Sequence, residues 1–255
     1  MAADPIELAI FVSTGPLLTP KKVGHEISAL NSARTFDSLY IQPILSVLRA
    51  QNPNTSFVPS PTHNGVFDTA AGQTLYLWVD VKTDGATTWP YVVQALQPLR
   101  AGGWLTRFNG TAVVPGAVTV IGTGNTPLNL VQPVSPRDYF WDAPLATLNT
   151  TDSNITSNVS PIASVDFVTQ FGEVRNETFN ATQLALLRAQ VSYAHGKGIG
   201  VRYWDQVSHL LSLSSVFLLI VSSSLDGPSA PEMPFGALSG TTVLTCLTWM
   251  TLKVS

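Results

Sequence analysis

The run Leu75-Tyr76-Leu77-Trp78-Val79-Asp80-Val81-Lys82-Thr83-Asp84-Gly85 constrains the fold more than any other stretch of this chain. It is apolar until it ends abruptly in acid, base, acid and glycine. A strand buried on both faces reads as a near-continuous hydrophobic run, and such strands belong to parallel sheets covered by helices. The carboxyl end of a strand of this kind is where α/β folds place their chemistry. Asp80 and Lys82 are two residues apart, so on a strand they point to the same side. A carboxylate and an ammonium held together there could engage a metal ion and a phosphate oxygen at once. The plainer alternative is a strand running out into a polar turn at Asp84-Gly85.

Strand-like and helix-like segments alternate over most of the length. Ile6 to Val12 reads as a strand, and Thr35-Phe36-Asp37 leads into a helical spacing at Leu39, Tyr40, Ile44, Leu45, Val47 and Leu48 that stops at Asn52-Pro53. After the strand Thr74 to Val81, Thr87-Thr88-Trp89-Pro90 offers an N-cap and a first-turn proline to a helix through Val92, Val93, Leu96 and Leu99, closed by Gly102-Gly103. Val118 to Ile121 and Tyr139 to Trp141 read as further strands. The Asn-rich stretch from Asn154 to Asn180 reads as a surface loop. Thr182 then caps a helix through Leu187, Val191 and Tyr193, and Ile199 to Trp204 is a last strand ending on Asp205. Strand, loop, helix, strand at this spacing predicts parallel βα units.

With 255 residues, 45% of them hydrophobic, and a mean hydropathy of +0.22, the chain can bury one large core and is not a disordered tract. A net charge of −3 supplies no electrostatic reason for nucleic acid or an anionic membrane as partner. Cys246 is the single cysteine, which excludes an intrachain disulfide and a cysteine-built zinc site. Seven Asn-x-Ser/Thr triplets, at Asn54, Asn109, Asn149, Asn154, Asn158, Asn176 and Asn180, suggest a glycoprotein of the secretory pathway, extracellular or vacuolar. The first residues, acidic and short of an apolar core, carry no secretory signal.

After Gln206 only Asp226, Glu232 and Lys253 carry charge, and the βα pattern is lost. The uncharged run Leu210 to Leu225 is broken by six serines and falls short of the roughly 20 apolar residues of a membrane span. Membrane contact through it is the weaker reading. The stronger is that residues 206–255 are an aberrant tail, from intron read-through or a shifted frame.

Three further places can carry chemistry. His25, in Val23-Gly24-His25-Glu26 and preceded by Lys21-Lys22, suits a general acid/base near a phosphate, or an ordinary turn histidine. Gly122-Thr123-Gly124-Asn125-Thr126-Pro127 could present backbone N–H groups to an anion. Arg202 and Trp204, two apart on the last strand and followed by Asp205, could wall a phosphate or headgroup, or form a core aromatic beside a buried ion pair. His195 closes a helix, where the dipole favours its protonated form, and is not a catalytic candidate.

These segments, with Thr35-Phe36-Asp37-Ser38-Leu39-Tyr40, Gly65-Val66-Phe67-Asp68, Gly103-Trp104-Leu105-Thr106 and Arg137-Asp138-Tyr139-Phe140, closely resemble a fungal family, altered inheritance of mitochondria protein 6. That family is a branch of the phospholipase-C-like and glycerophosphodiester phosphodiesterase superfamily. The resemblance spans residues 23–205 in the family's order, leaving 1–22 unmatched and 206–255 outside it. It implies a TIM-type (β/α) barrel, incomplete at both ends here, that cleaves a small-molecule or lipid phosphodiester with Mg²⁺ or Ca²⁺ and paired histidines. On that pattern His25 resembles the second catalytic histidine, Asp80 the third metal ligand and Lys82 its phosphate-contacting neighbour. The family's first histidine strand and its strand with two acidic ligands have no counterpart in this chain. Two functions follow as expectations. One is a phosphoric diester hydrolase acting on a glycerophosphodiester or (lyso)phospholipid headgroup. The other is a catalytically inactive barrel-derived binding or structural protein.

Overall fold

The computed structural model describes residues 6–10, 22–24, 27–57, 62–172 and 179–205, with the backbone alone for 6–10 and 27. His25, the Leu210–Leu225 run and the whole 206–255 tail lie outside the described residues. The chain divides into two compact units, Pro5–Trp141 and a second beginning at Asp142.

The first unit is built on the predicted apolar strand. β1 (Ile6–Ile10) pairs in parallel with β2 (Leu75–Val81). A two-residue hairpin pair, β3 (Arg107–Phe108) and β4 (Val113–Val114), precedes β5 (Val118–Gly124), which pairs in parallel with β2 and with β6 (Phe140–Trp141). The sheet order is β1-β2-β5-β6. Leu75, Leu77, Trp78, Val79 and Val81 are all buried, so β2 is covered on both faces, as its continuous apolar run requires. Each such aliphatic side chain contributes about 1.5–3 kcal/mol by leaving water.

Three helices supply the cover. Before α1 (Gln42–Gln51) the chain turns through Thr35-Phe36-Asp37-Ser38, where Thr35 Oγ1 accepts from the Ser38 N–H and Ser38 Oγ accepts from the Thr35 N–H, each at 3.1 Å. That reciprocal pair starts the segment and sends Phe36, Ile41 and Leu48 into the core. α2 (Gly85–Ala95) begins earlier than predicted, because the Asp84 carboxylate, not a threonine, caps it, accepting from the Thr87 N–H at 2.9 Å. Pro90 therefore falls inside the helix, which breaks after Ala95 and resumes as α3 (Gln97–Ala101). Gly102 and Gly103 end it where predicted.

In the second unit β7 (Ala143–Pro144), β8 (Ile162–Asp166) and β9 (Gly200–Trp204) form a parallel three-stranded sheet in that order. β8 and the short α4 (Phe167–Phe171) occupy part of the Asn154–Asn180 stretch that composition alone assigned to loop. Ile162-Ala163-Ser164-Val165 is too short to stand out among polar neighbours, but its Ile162 and Ala163 are fully buried between β7 and β9. α5 (Ala181–Gly196) starts one residue before the expected cap, with Asn180 and Gln183 forming a reciprocal capping box. On β9, Tyr203 meets Phe167 and Phe171 at ring distances of 6.3 and 5.4 Å and donates its hydroxyl to Gln190 Oε1 at 2.9 Å.

The described strands thus form two parallel sheets and the antiparallel β3–β4 pair, and no closed ring is seen among them; the architecture is mixed α/β with parallel βα units. No helix among the described residues is long and apolar enough to cross a membrane. Of the seven triplet asparagines, Asn54, Asn109, Asn149, Asn154 and Asn180 are exposed, Asn158 is half-buried, and Asn176 lies outside the described residues.

Candidate active site

Asp80 stands near the carboxyl end of β2, opposite Ala9 on one side and Thr123 on the other. Its neighbours in sequence are core residues, so the strand leaves it little freedom. Asp80 Oδ2 sits 2.5 Å from Lys82 Nζ, with side-chain exposures of 13% and 38%. The two-residue spacing places both groups on one side, as the sequence indicates. The other carboxylate oxygen, Asp80 Oδ1, is buried and has no hydrogen-bond partner among the described residues. A buried anionic oxygen without a donor is costly, and such atoms mark sites built for something else to bind.

The loop after β5 closes over this carboxylate. The Asn125 N–H donates to the Val81 carbonyl at 2.8 Å, and Asn125 Nδ2 donates to the Thr83 carbonyl at 3.1 Å. Thr126 Oγ1 donates back to the Thr123 carbonyl, and the Trp141 indole N–H donates to the Thr126 carbonyl at 3.0 Å. Two glycines let the backbone come this close. Gly124 has φ +64, and a Cβ there would lie 2.2 Å from Asp80 Oδ1; a Cβ on Gly85 would lie 1.8 Å from the Asn125 carbonyl oxygen.

This arrangement changes the expected role of the Gly122–Pro127 turn. Its Asn125 and Thr126 N–H groups are already bonded to the Val81 and Thr123 carbonyls, so neither is free to meet an anion. The turn instead walls the Asp80 pocket. The Trp141 anchor and the Gly85 contact had no sequence signal, since both act across long chain separations. The nearby Asp84 carboxyl is held below its usual pKa by its hydrogen bonds from Thr87, side chain and backbone. The α2 cap therefore stays ionised further into acid than an ordinary aspartate would.

Other predicted positions fall elsewhere. Gly24 is buried and the Val23 N–H donates to the Arg34 carbonyl, which locates the segment leading to His25. Arg202, Trp204 and Asp205 belong to the second unit. Arg202 is 1% exposed and lies opposite Ser164, whose hydroxyl donates to Asp142 Oδ2 at 2.6 Å. Trp204 is 38% exposed opposite Asp166, and Asp205 has φ +57. Arg202 and Trp204 share the side of β9 away from Tyr203, but one is enclosed and the other open. His195 lies in the last turn of α5 as predicted, and burial lowers its pKa although the residue keeps an exposed edge.

No group of three or more His, Cys, Asp or Glu side chains able to hold a metal ion occurs among the described residues. Asp80 offers a hard anionic oxygen at this strand end, while the nearby Asp84 carboxylate is engaged by Thr87 as the α2 cap.

A family model described as the AIM6-like phosphodiesterase domain matches residues 6–142, which is the first unit to within a residue at each end. The chain is 51% identical over 187 residues to the altered inheritance of mitochondria protein 6 homolog of Arthroderma benhamiae, covering 72% of this chain and 58% of that protein. It is 30% identical over 195 residues to altered inheritance of mitochondria protein 6 of Eremothecium gossypii, covering 71% of this chain and 50% of that one. The chain spans between half and three-fifths of the length of these relatives. No solved structure matches it. The match over residues 6–142 covers more than half of the chain, and the chain belongs to the AIM6-like phosphodiesterase domain family.

Proposed function

We propose that this protein is a phosphoric diester hydrolase whose reaction centre is the mouth of β2. Its substrate is a glycerophosphodiester or (lyso)phospholipid headgroup. Asp80 serves as an oxygen ligand of Mg²⁺ or Ca²⁺, Lys82 grips a phosphate oxygen, and His25 moves a proton. The single observation that carries this reading is Asp80 Oδ1, buried and without a hydrogen-bond partner among the described residues, beside the Lys82 ammonium.

A single carboxylate fits a Mg²⁺-type site, because that ion keeps several waters and is completed by substrate phosphate oxygens. When bound, the cation supplies charge neutralisation at the phosphate. Lys82 is 38% exposed on its side chain and can leave Asp80 Oδ2 for an arriving phosphate oxygen. The Asp80–Lys82 pair thus keeps both charges balanced until substrate and cation separate them. The apolar strand behind Asp80 and the Gly124 wall keep water off the carboxylate oxygen that has no other partner.

The test is turnover of bis(p-nitrophenyl) phosphate and of lysophosphatidylcholine by the full chain with Mg²⁺, with Ca²⁺ and with a chelator. Asp80→Asn is expected to lower kcat/KM on the order of 100-fold while leaving the melting temperature close to wild type. Turnover that is indifferent to chelator and to Asp80→Asn would remove the reading. Absence of both turnover and metal binding would leave the binding-protein alternative in its place.

A further inference from the structure

The first unit contains a second concavity remote from Asp80. It has a volume of about 810 Å³, and its walls include residues leading into the amino ends of β5 and β6. That is within the range of small-molecule sites, about 300–1,000 Å³. Val118, just after the lining residues Val114 and Pro115, and Thr123, the β5 partner of Asp80, are five strand residues apart, about 16 Å, so this cavity and the β2 mouth are separate places.

The walls divide by chemistry. Val93, Leu105, Val114 and Pro115 make an apolar side. The polar side holds three arginines and His63 against a single acid, Asp138. Asp138 is fully engaged: Arg100 forks onto it, Nε to Oδ2 at 2.5 Å and Nη2 to Oδ1 at 2.8 Å. Arg137 is 5% exposed, donates Nη1 to the Val134 carbonyl at 2.9 Å and lies 4.6 Å over the Phe108 ring. Its guanidinium is therefore fixed in place at the wall. Arg107 is exposed and makes no ion pair or side-chain hydrogen bond among the described residues. Arg100 and Asp138 neutralise one another, and Arg107 brings a positive charge without an ion-pair partner among the described residues beside an apolar wall.

We propose that this cavity binds a small amphiphile, its oxyanion taken by Arg107 and its apolar body laid against Val93, Leu105, Val114 and Pro115. A planar guanidinium presents paired N–H donors that match the oxygens of a carboxylate or a phosphate alike. The shared chemistry is therefore an anionic head on an aliphatic body, from either a phosphomonoester or a fatty acid. Loops at the amino end of parallel strands are free of the chemistry done at the carboxyl end. Occupancy here is thus independent of turnover at Asp80.

The test is calorimetric titration of the full chain with decyl phosphate, decanoate and decanol, each below its micelle concentration. One or both anions bind at a single site and decanol binds at least about tenfold more weakly. Arg107→Ala weakens the anion about tenfold or more and makes its binding less sensitive to salt, with an unchanged melting temperature because Arg107 is exposed. Arg107→Gln, which keeps the length without the charge, does the same, and Asp80→Asn leaves binding at the wild-type value. Which of the two anions binds more tightly identifies the head group. Decanol binding as tightly as the anions, no binding by either anion, indifference to Arg107→Ala, or loss of binding in Asp80→Asn would each overturn the proposal.

Discussion

Replacing Gly124 by alanine tests the construction of the Asp80 pocket. Two costs arise in the folded state. At φ +64 an L residue is disfavoured by about 1–2 kcal/mol, which glycine avoids. The new Cβ would also stand 2.2 Å from Asp80 Oδ1 and 2.8 Å from the Val81 carbonyl oxygen. The Asp80 carboxylate can rotate away, but the Val81 carbonyl belongs to the paired strand and cannot. Crowding of this kind in a packed region costs about 1–3 kcal/mol. Together the loss is about 3 kcal/mol, or about 6–12 °C in melting temperature for a domain of this size. Gly103 provides the matched control. It has φ +70, and a Cβ there meets nothing within 4 Å, so Gly103→Ala carries the backbone cost alone, about 1–2 kcal/mol. Urea unfolding of the two variants isolates the contact with Asp80 and Val81. Phosphodiester turnover of Gly124→Ala should fall well below that of Gly103→Ala, because the carboxylate that leaves its place is the proposed ligand. Equal stabilities within about 0.5 kcal/mol, with equal turnover, would refute the account of the pocket.

Two further outcomes concern the second unit. Tyr203→Phe removes the hydroxyl that donates to Gln190 Oε1, leaving that oxygen buried without its donor; urea unfolding should show a loss of about 1–2 kcal/mol, and an unchanged midpoint would mean that the hydrogen bond contributes nothing. His195 has its pKa lowered by burial, so below the ordinary histidine pKa of about 6.5 the unfolded chain binds more protons than the folded one, and stability falls as pH falls through that value. His195→Gln should flatten the fall in melting temperature between about pH 7.5 and about pH 5.5, whereas an unaltered slope would place the titrating group elsewhere.

Much of the first unit was legible in its order of residues. The run at Leu75–Val81 declared a strand buried on both faces, and Asp80 and Lys82 share a side and touch as their spacing requires. The start of α2 was misplaced because three candidate caps, Asp84, Thr87 and Thr88, stand close together, and only the folded geometry shows the Asp84 carboxylate on the Thr87 N–H. β8 was missed because four residues between Pro161 and Asp166 give no periodicity to read; their burial between two other strands makes them a strand. The Gly122–Pro127 turn was seen, but a sequence does not show that its Asn125 and Thr126 N–H groups are already bonded to the Val81 and Thr123 carbonyls.

The sequence by itself determined which strand carries the acid and the amine, and that they face one way, because alternation along a strand is a property of the local backbone. Tertiary structure decided what surrounds them. The register of β5 on β2 brings Gly124 against Val81, so the glycine that spares Asp80 Oδ1 a clash lies 44 positions away in sequence. It likewise decided that Arg100 and Asp138 cancel each other's charge while Arg107 keeps its own, because pairing depends on distances that the folded chain alone sets.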